Sequence, residues 1–183
     1  MNKIFIAIIF SVIPLLLSAE ECRLTSQQIQ DNLKLDWKEF DQTQNMGHRL
    51  LAAKGCYLEA ALLTDSYNLQ NRDLIDPSKL RILYFHAGQM YAYAELNEVA
   101  VSRMMNSLNP KEDMNPELNW NDYVQASVAF LRNDRESLEI FQKKLAAGKA
   151  SEGNDLNLSV VNNFLKCLGK PYSWPYGRSG DCK

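Results

Sequence analysis

Histidine is scarce in this sequence, which has only two copies, His48 and His86, in 183 residues. No CxxC or HExxH motif and no closely spaced His/Cys cluster occurs. Such short spacings are the usual sequence signal of a zinc site. We therefore predict no metal, no cofactor and no catalytic residue. Basic runs are also missing, and the formal net charge is −2. That charge leaves no electrostatic footprint for nucleic acid, so a nucleic-acid partner is not expected.

Long apolar runs are missing outside the N-terminus, where "IFIAIIFSVIPLLL" spans 14 residues. An uninterrupted membrane span needs about 20 apolar residues, and this run also contains Pro14. It follows "MNK", which carries one positive charge, and it precedes the small residues of "LSA". This layout is typical of a secretory signal peptide. We predict that residues 1–19 are a signal peptide, and that the mature protein is periplasmic or secreted, with no membrane attachment after cleavage.

Export changes how the four cysteines are interpreted. Their number is even, and an oxidising compartment favours two disulfides. Four cysteines allow three connectivities, and the residues alone do not choose among them. An alternative hypothesis makes Cys56 a nucleophile and His86 its base, in an enzyme or a small-molecule-binding protein. The cysteines are Cys22, Cys56, Cys167 and Cys182.

Strand signals are almost absent, and helical periodicity covers the mature chain. Asp76 followed by Pro77 is a strong helix-start signal, because aspartate caps the first turn and proline suits the first helical position. Gly55 and Gly148 follow apolar periodic segments and indicate helix ends. No interdomain linker is visible. The pattern predicts an all-α protein with a single helical domain over residues 20–183.

Three segments of the chain are related to one another: "KGCYLEAALL", "AELNEVAVSRM" and "RNDRESLEIF". Each follows a helix, makes a tight turn and then places a small residue, namely Ala60, Ala100 and Ser137. These residues lie 40 and 37 positions apart. A period of 34 to about 40 residues with two helices per unit indicates a stack of helical repeats. In such a stack each helical hairpin buries its apolar face against its neighbours.

The first two segments, together with the helix before the second, carry a fuller pattern of small and aromatic residues, which resembles that of the tetratricopeptide (TPR) repeats. The resemblance implies antiparallel helical hairpins stacked as a short right-handed solenoid, with repeat units at about 45–71, 77–110 and 118–147. Residues 156–183 would then be a capping helix and tail. The matching residues are Gly55, Tyr57, Glu59 and Ala60 in the first unit, and Tyr84, Gly88, Tyr91 and Ala100 in the second. The third unit keeps only its small residue and Phe141.

The resemblance also implies which residues line the inner, concave surface of the stack. Ile82, Phe85, Gln89 and Tyr93 are spaced three or four residues apart and share one helix face, and Arg49 is equivalent to Gln89. We predict that this face binds a protein or peptide partner in the cell envelope. The alternative is that the "LDWKEF" segment or the C-terminal tail fills it.

The same resemblance assigns structural roles to three residues on the predicted repeat helices. Gly88 would let the second helix of its hairpin approach. His48 aligns with Gly88 and is predicted to pack, and His86 is predicted to hydrogen-bond a neighbouring helix.

The whole chain also resembles small exported bacterial proteins of unassigned role that carry "KGCY-EAA", "FHAGQ" and "C-G-PY" elements. That resemblance implies a compartment and a fold, and no activity. Because each unit of a stack touches only its neighbours, we predict local bridges, Cys22–Cys56 and Cys167–Cys182. A compact solenoid would leave Cys56–Cys167 as the alternative.

Overall fold

The computed structural model describes residues 21–111, 119–149, 151–176 and 182, and the regular structure in these ranges is helical, without a strand. The all-α prediction is therefore confirmed for this part of the chain. The predicted signal peptide, residues 1–19, lies outside it. None of the helices within these ranges is long and apolar enough to cross a membrane. The elements are α1 (Ser26–Leu33), a π-helical turn (Lys38–Gln42), α2 (Gly47–Ala53), α3 (Tyr57–Asn71), α4 (Pro77–Tyr93), α5 (Asn97–Met105), α6 (Trp120–Leu131), α7 (Arg135–Ala147), α8 (Glu152–Lys166) and α9 (Ser173–Tyr176).

The helix starts use the capping chemistry that the sequence indicates. At α4, the Asp76 side chain accepts a hydrogen bond from the Ser78 amide at 2.8 Å, and Pro77 is the first helical residue. At α1, Thr25 and Gln28 form a capping box, in which each side chain accepts from the other residue's amide. These bonds satisfy amide groups that have no partner inside the helix.

One tight turn recurs three times, after α2, α4 and α6. Its central residue has a left-handed backbone, with φ of 77° at Gly55, 61° at Glu95 and 55° at Asn133. In each turn this residue donates to the carbonyl three residues earlier, and the next residue donates to the carbonyl five residues earlier. Both bonds satisfy carbonyls that the helix end leaves free, as in a Schellman motif. The chain therefore reverses direction in the same way three times, and the left-handed residues of successive turns are 40 and 38 positions apart.

The position of the left-handed residue determines which residues of the following helix are buried. The fifth residue beyond it is completely buried in all three cases: Ala60, Ala100 and Leu138 are each 0% exposed. The sequence prediction of Ser137 as the third equivalent residue is therefore wrong by one position. Asn133 is the left-handed residue of that turn, and counting from it places Leu138 in the buried position.

Gly88 marks a close approach between α4 and α5. A Cβ atom on Gly88 would lie 2.6 Å from Met104 Cγ and 3.0 Å from the carbonyl oxygen of Ala100. A side chain at this place would push α5 away, so the expected role of Gly88 is confirmed. The equivalent positions, seven residues before Gly55 and Asn133, hold His48 and Ala126, which are 2% and 0% exposed. The first hairpin therefore carries a buried imidazole where the second has a glycine.

The helices that precede the turns contact one another in chain order. Aromatic rings join α2 to α4, α4 to α6 and α6 to α8, with centroid distances of 5.9, 5.1 and 4.8 Å. The helices that follow the turns, α3, α5 and α7, each pack against the helix before them. The three ring pairs are His48–His86, Phe85–Tyr123 and Phe130–Phe164.

Both predicted disulfides are confirmed. Cys22 pairs with Cys56 and Cys167 with Cys182, with Cα separations of 5.3 and 5.0 Å that are normal for a disulfide. The Cys56–Cys167 alternative is excluded, because both residues have other partners. The cysteine-nucleophile hypothesis is also wrong, since Cys56 in a disulfide has no thiolate to offer.

Removing either bridge is expected to destabilise the oxidised protein. Loop-closure entropy predicts a loss of about 3 kcal/mol for the double variant C167S/C182S and about 4 kcal/mol for C22S/C56S, whose loop is longer. Urea unfolding of the mature protein measures both values. Mass spectrometry after alkylation under denaturing, non-reducing conditions provides the control, and a free thiol in the unmodified protein would contradict the two-bridge structure.

The recurring turn supports a matched pair of stability changes. Gly55→Ala is expected to destabilise the protein by about 1 kcal/mol, because nothing crowds Gly55 and the cost is the left-handed backbone alone. Glu95→Gly is expected to stabilise it by about 0.5–1 kcal/mol, because glycine relieves the strain at the equivalent position. Urea midpoints compare the two, and shifts of the same sign would contradict the equivalence of the turns.

Candidate functional site

A buried carboxylate lies between the two histidines of the chain. Asp41 is 0% exposed, and its Oδ1 atom is 3.0 Å from His48 Nε2 and 2.7 Å from His86 Nδ1. A carboxylate only accepts hydrogen bonds, so both of these ring nitrogens carry a hydrogen and donate it. The side-chain amide of Gln42 donates a hydrogen bond to the other carboxylate oxygen, Asp41 Oδ2. We call Asp41, His48 and His86 the Asp/His cluster.

The backbone before α2 directs Asp41 inwards. Phe40 is 0% exposed and stacks on Tyr67 with a centroid distance of 3.7 Å, which anchors the π-helical turn. Gly47 then has φ of 51°, and a Cβ atom there would overlap the carbonyl group of Phe40. Arg49 donates its Nε hydrogen to the backbone carbonyl of Asp41. The turn is therefore held from both sides, with the Asp41 carboxylate facing α2 and α4.

Hydrogen bonding keeps the carboxylate ionised in spite of burial. Burial by itself would raise the pKa of Asp41, but the hydrogen bonds from His48 and His86 outweigh it and hold the pKa well below its usual range. Burial lowers the pKa of His48 below the usual value, although Asp41 acts in the opposite direction. Since the neutral His48 ring carries its hydrogen on Nε2, Nδ1 is an acceptor, and this buried atom has no hydrogen-bond partner in the described part of the chain.

The Asp/His cluster is reachable from solvent on one side. The side chains of Asp41 and His48 are 0% and 3% exposed, whereas that of His86 is 20% exposed. Within the described residues these three form a group able to hold a metal ion, because one ligand atom from each lies within 4.8 Å of the others. A carboxylate oxygen and two imidazole nitrogens are ligands that suit zinc and neighbouring divalent transition metals.

The sequence analysis missed this cluster. His86 was expected to hydrogen-bond a neighbouring helix, and its partner Asp41, which lies in the π-helical turn, was not singled out. The two residues are 45 positions apart, so no local motif links them. The one available signal was the alignment of His48 with Gly88, which indicates a buried ring that needs a polar partner.

The predicted concave face is partly covered by the chain itself. Phe85 is 2% exposed, and its ring packs on Trp120 and Tyr123 of α6 at centroid distances of 5.1 Å each. Phe85 is therefore not an accessible anchor, because α6 occupies the space in front of it.

The C-terminal tail covers the next two predicted positions. Gln89 Nε2 donates to the Tyr176 hydroxyl at 3.2 Å. The Tyr93 ring packs on Tyr172 and Tyr176 at centroid distances of 5.5 and 6.0 Å. The Tyr176 hydroxyl also lies 2.8 Å from that of Tyr123 and 3.0 Å from that of Tyr172. At Gln89 and Tyr93 the self-filled alternative is thus the arrangement present.

The remaining predicted positions lie nearer the first hairpin. Ile82 and Arg49 are half-buried. Arg49 borders a cavity of about 310 Å³ between α2 and α4, which Met90, Ala52 and His48 also line. No carboxylate oxygen among the described residues lies within 4.0 Å of its guanidinium nitrogens. Of the five predicted face residues, Arg49 is the one that lines this cavity.

Comparisons with known proteins add nothing to this geometry. A scan against protein-family models, a search of curated proteins and a search of solved structures found no match. The residues and their contacts therefore carry the functional argument.

The hydroxyls of Tyr123, Tyr172 and Tyr176 are expected to resist ionisation as long as the chain is folded. Burial raises the pKa of Tyr123 to about 12, and it raises the pKa of Tyr172 and Tyr176 well above the usual value. Their contribution to stability is complete below about pH 10, where unfolded tyrosine is protonated, and it is lost as pH rises through the folded values. Ultraviolet titration of phenolate checks this, and full ionisation of a still-folded chain near pH 10 would contradict it.

The tail contact is tested by removing one hydroxyl. Tyr176→Phe leaves the Gln89 amide and two tyrosine hydroxyls without their shared partner, which costs about 1–3 kcal/mol. The matched control is Tyr57→Phe, because the Tyr57 ring contacts Tyr93 and its hydroxyl makes no hydrogen bond to another described residue. Urea unfolding compares the two variants, and equal midpoints would show that the hydroxyl contacts contribute nothing.

Proposed function

We propose that this chain is an exported, non-enzymatic protein-interaction module, built as a short TPR-like right-handed solenoid with α8 and the tail as its cap. Two observations support the solenoid. The same turn recurs at residues 40 and 38 apart, and α2, α4, α6 and α8 contact one another in order. Stacked helical hairpins commonly use their concave surface to hold an extended segment of a partner.

The proposed compartment is the periplasm or the exterior of the cell. Two disulfides support it, because disulfides persist in oxidising compartments and are rare where thiols are kept reduced. The predicted signal peptide supplies the route.

The proposed binding place is the cavity between α2 and α4, and its occupant is a peptide segment that carries a carboxylate. Arg49 is the observation that supports this choice, since it is a half-buried cation with no carboxylate of the described residues in contact. Its Nε hydrogen is used by the Asp41 carbonyl, so the terminal nitrogens are its donors for a ligand. Arginine binds carboxylates with paired, charge-assisted hydrogen bonds, and these are stronger than neutral ones. The neighbouring Met90 and Ala52 offer apolar contact for the peptide chain.

The experiment is an affinity selection from a random peptide library on the disulfide-bonded mature protein, followed by titration of a selected peptide. We expect selected peptides to carry a carboxylate at a constant position, and Arg49→Gln to weaken their binding by about 10-fold or more. Arg49→Lys keeps the charge and should lose less. The matched control is Arg72→Gln, because Arg72 is exposed and distant from the cavity in the chain.

Two results would count against this proposal. One is a selection that enriches no peptide above background on the folded protein. The other is a selected peptide whose affinity falls equally in Arg49→Gln and Arg72→Gln, which would mean that net charge alone is responsible. Circular dichroism confirms that both variants are folded before binding is compared.

A further inference from the structure

We propose that the Asp/His cluster is a site for one divalent transition-metal ion, with zinc as the best fit, held by Asp41 Oδ1, His48 Nε2 and His86 Nδ1. This inference is independent of the peptide-binding proposal. It rests on the position of three ligand atoms in one small volume.

The distances suit a metal after a small adjustment. Tetrahedral zinc with bonds of about 2.0–2.1 Å separates its ligand atoms by about 3.3–3.4 Å. The two nitrogens are 3.0 and 2.7 Å from Asp41 Oδ1, so the carboxylate has to withdraw by about half an ångström to admit the ion. All three ligand atoms lie within 4.8 Å of one another, so rotation of the imidazole rings has to bring the two nitrogens to about 3.4 Å from each other as well. His86 is at the exposed edge, which leaves the fourth position for water from solvent.

The chemistry of the three ligands selects the class of ion. One anionic oxygen and two imidazole nitrogens match the borderline-soft ions from cobalt to zinc. Calcium and magnesium are disfavoured, because they require six or more oxygen ligands or several retained waters. No thiolate competes for the ion, since all four cysteines are in disulfides.

Metal binding requires both ligand nitrogens to give up the hydrogen that they donate to Asp41. In the metal-bound state each ring carries its hydrogen on the other nitrogen, which is Nδ1 in His48 and Nε2 in His86. His86 Nε2 is on the partly exposed ring and can donate to water. The His48 Nδ1 atom is buried without a partner, and missing second-shell support typically weakens metal sites by about 10–100-fold. We therefore expect micromolar rather than nanomolar affinity.

The three ligands come from separate parts of the chain. Asp41 belongs to the π-helical turn, His48 to α2 and His86 to α4. An ion at this point ties the N-terminal segment to the first two hairpins. Since the ligands are brought together only by folding, the ion binds the folded state and raises the urea midpoint.

The test uses the oxidised mature protein, freed of any polyhistidine tag and stripped of metal by a chelator. Zinc chloride is added in a competition titration with a chromophoric chelator, and cobalt chloride is added while visible absorption is recorded. We expect one ion per chain with micromolar affinity, a tetrahedral cobalt spectrum and a higher urea midpoint with zinc. His86→Ala should lower the affinity at least 10-fold and abolish the shift in midpoint. His86 is the preferred variant, because its partly exposed ring is the easiest of the three to remove without unfolding.

Nitrogen NMR of the imidazole rings identifies the ligand atoms directly, because the chain has only two histidines. Zinc should shift Nε2 of His48 and Nδ1 of His86, and it should leave the opposite nitrogens as the protonated ones. The matched control is Asp65→Asn, which removes a carboxylate from another partly buried cluster with Tyr91 and Arg103. This variant should bind zinc as the unmodified protein does. Unchanged ring nitrogens in the presence of zinc, or zinc affinity that His86→Ala leaves intact, would overturn the proposal and leave the cluster as a hydrogen-bonded structural element.

Discussion

The left-handed turn at the end of α2, α4 and α6 is the constraint from which the rest of the described structure follows. Its two backbone hydrogen bonds end one helix and fix the direction of the next within three residues. The residue five places later is always buried, and so is the residue seven places earlier, which at Gly88 lies against the following helix. The buried positions on both sides of each turn can therefore be located by counting residues from Gly55, Glu95 and Asn133. Ser137 was wrongly chosen as the equivalent residue of the third unit because the sequence comparison aligned small side chains. The backbone of the turn is what determines the equivalence, and it selects Leu138.

The same counting explains why the first hairpin differs from the others. The position that holds Gly88 in the second hairpin and Ala126 in the third holds His48 in the first. A buried imidazole needs a polar partner, because an unpaired one loses its hydration without compensation. Asp41 supplies it, and the ionised carboxylate in turn needs the second imidazole of His86. One substitution of residue type in a repeated scaffold thus requires a cluster of three polar side chains.

The C-terminal tail covers the part of the predicted concave face that holds Gln89 and Tyr93. Tyr172 and Tyr176 place their rings against Tyr93 and their hydroxyls against one another, and the Cys167–Cys182 bridge keeps this segment near α8. The tail in this position covers Gln89 and Tyr93 of α4. The cavity beside Arg49, next to the cluster, stays open.

The helices, their caps, the turns and the two local disulfides could be predicted from the sequence, because interactions between residues close in the chain, or between neighbouring units, determine them. Asp76 caps a helix whatever the fold around it. The candidate site depended on tertiary structure. His86 meets Asp41 across 45 residues, and Gln89 meets Tyr176 across 87. Helical periodicity indicates that Phe85, Gln89 and Tyr93 share a face, but it carries no information on what lies opposite. Only the packing of distant segments decided that a tail covers this face and that a carboxylate lies between the two histidines.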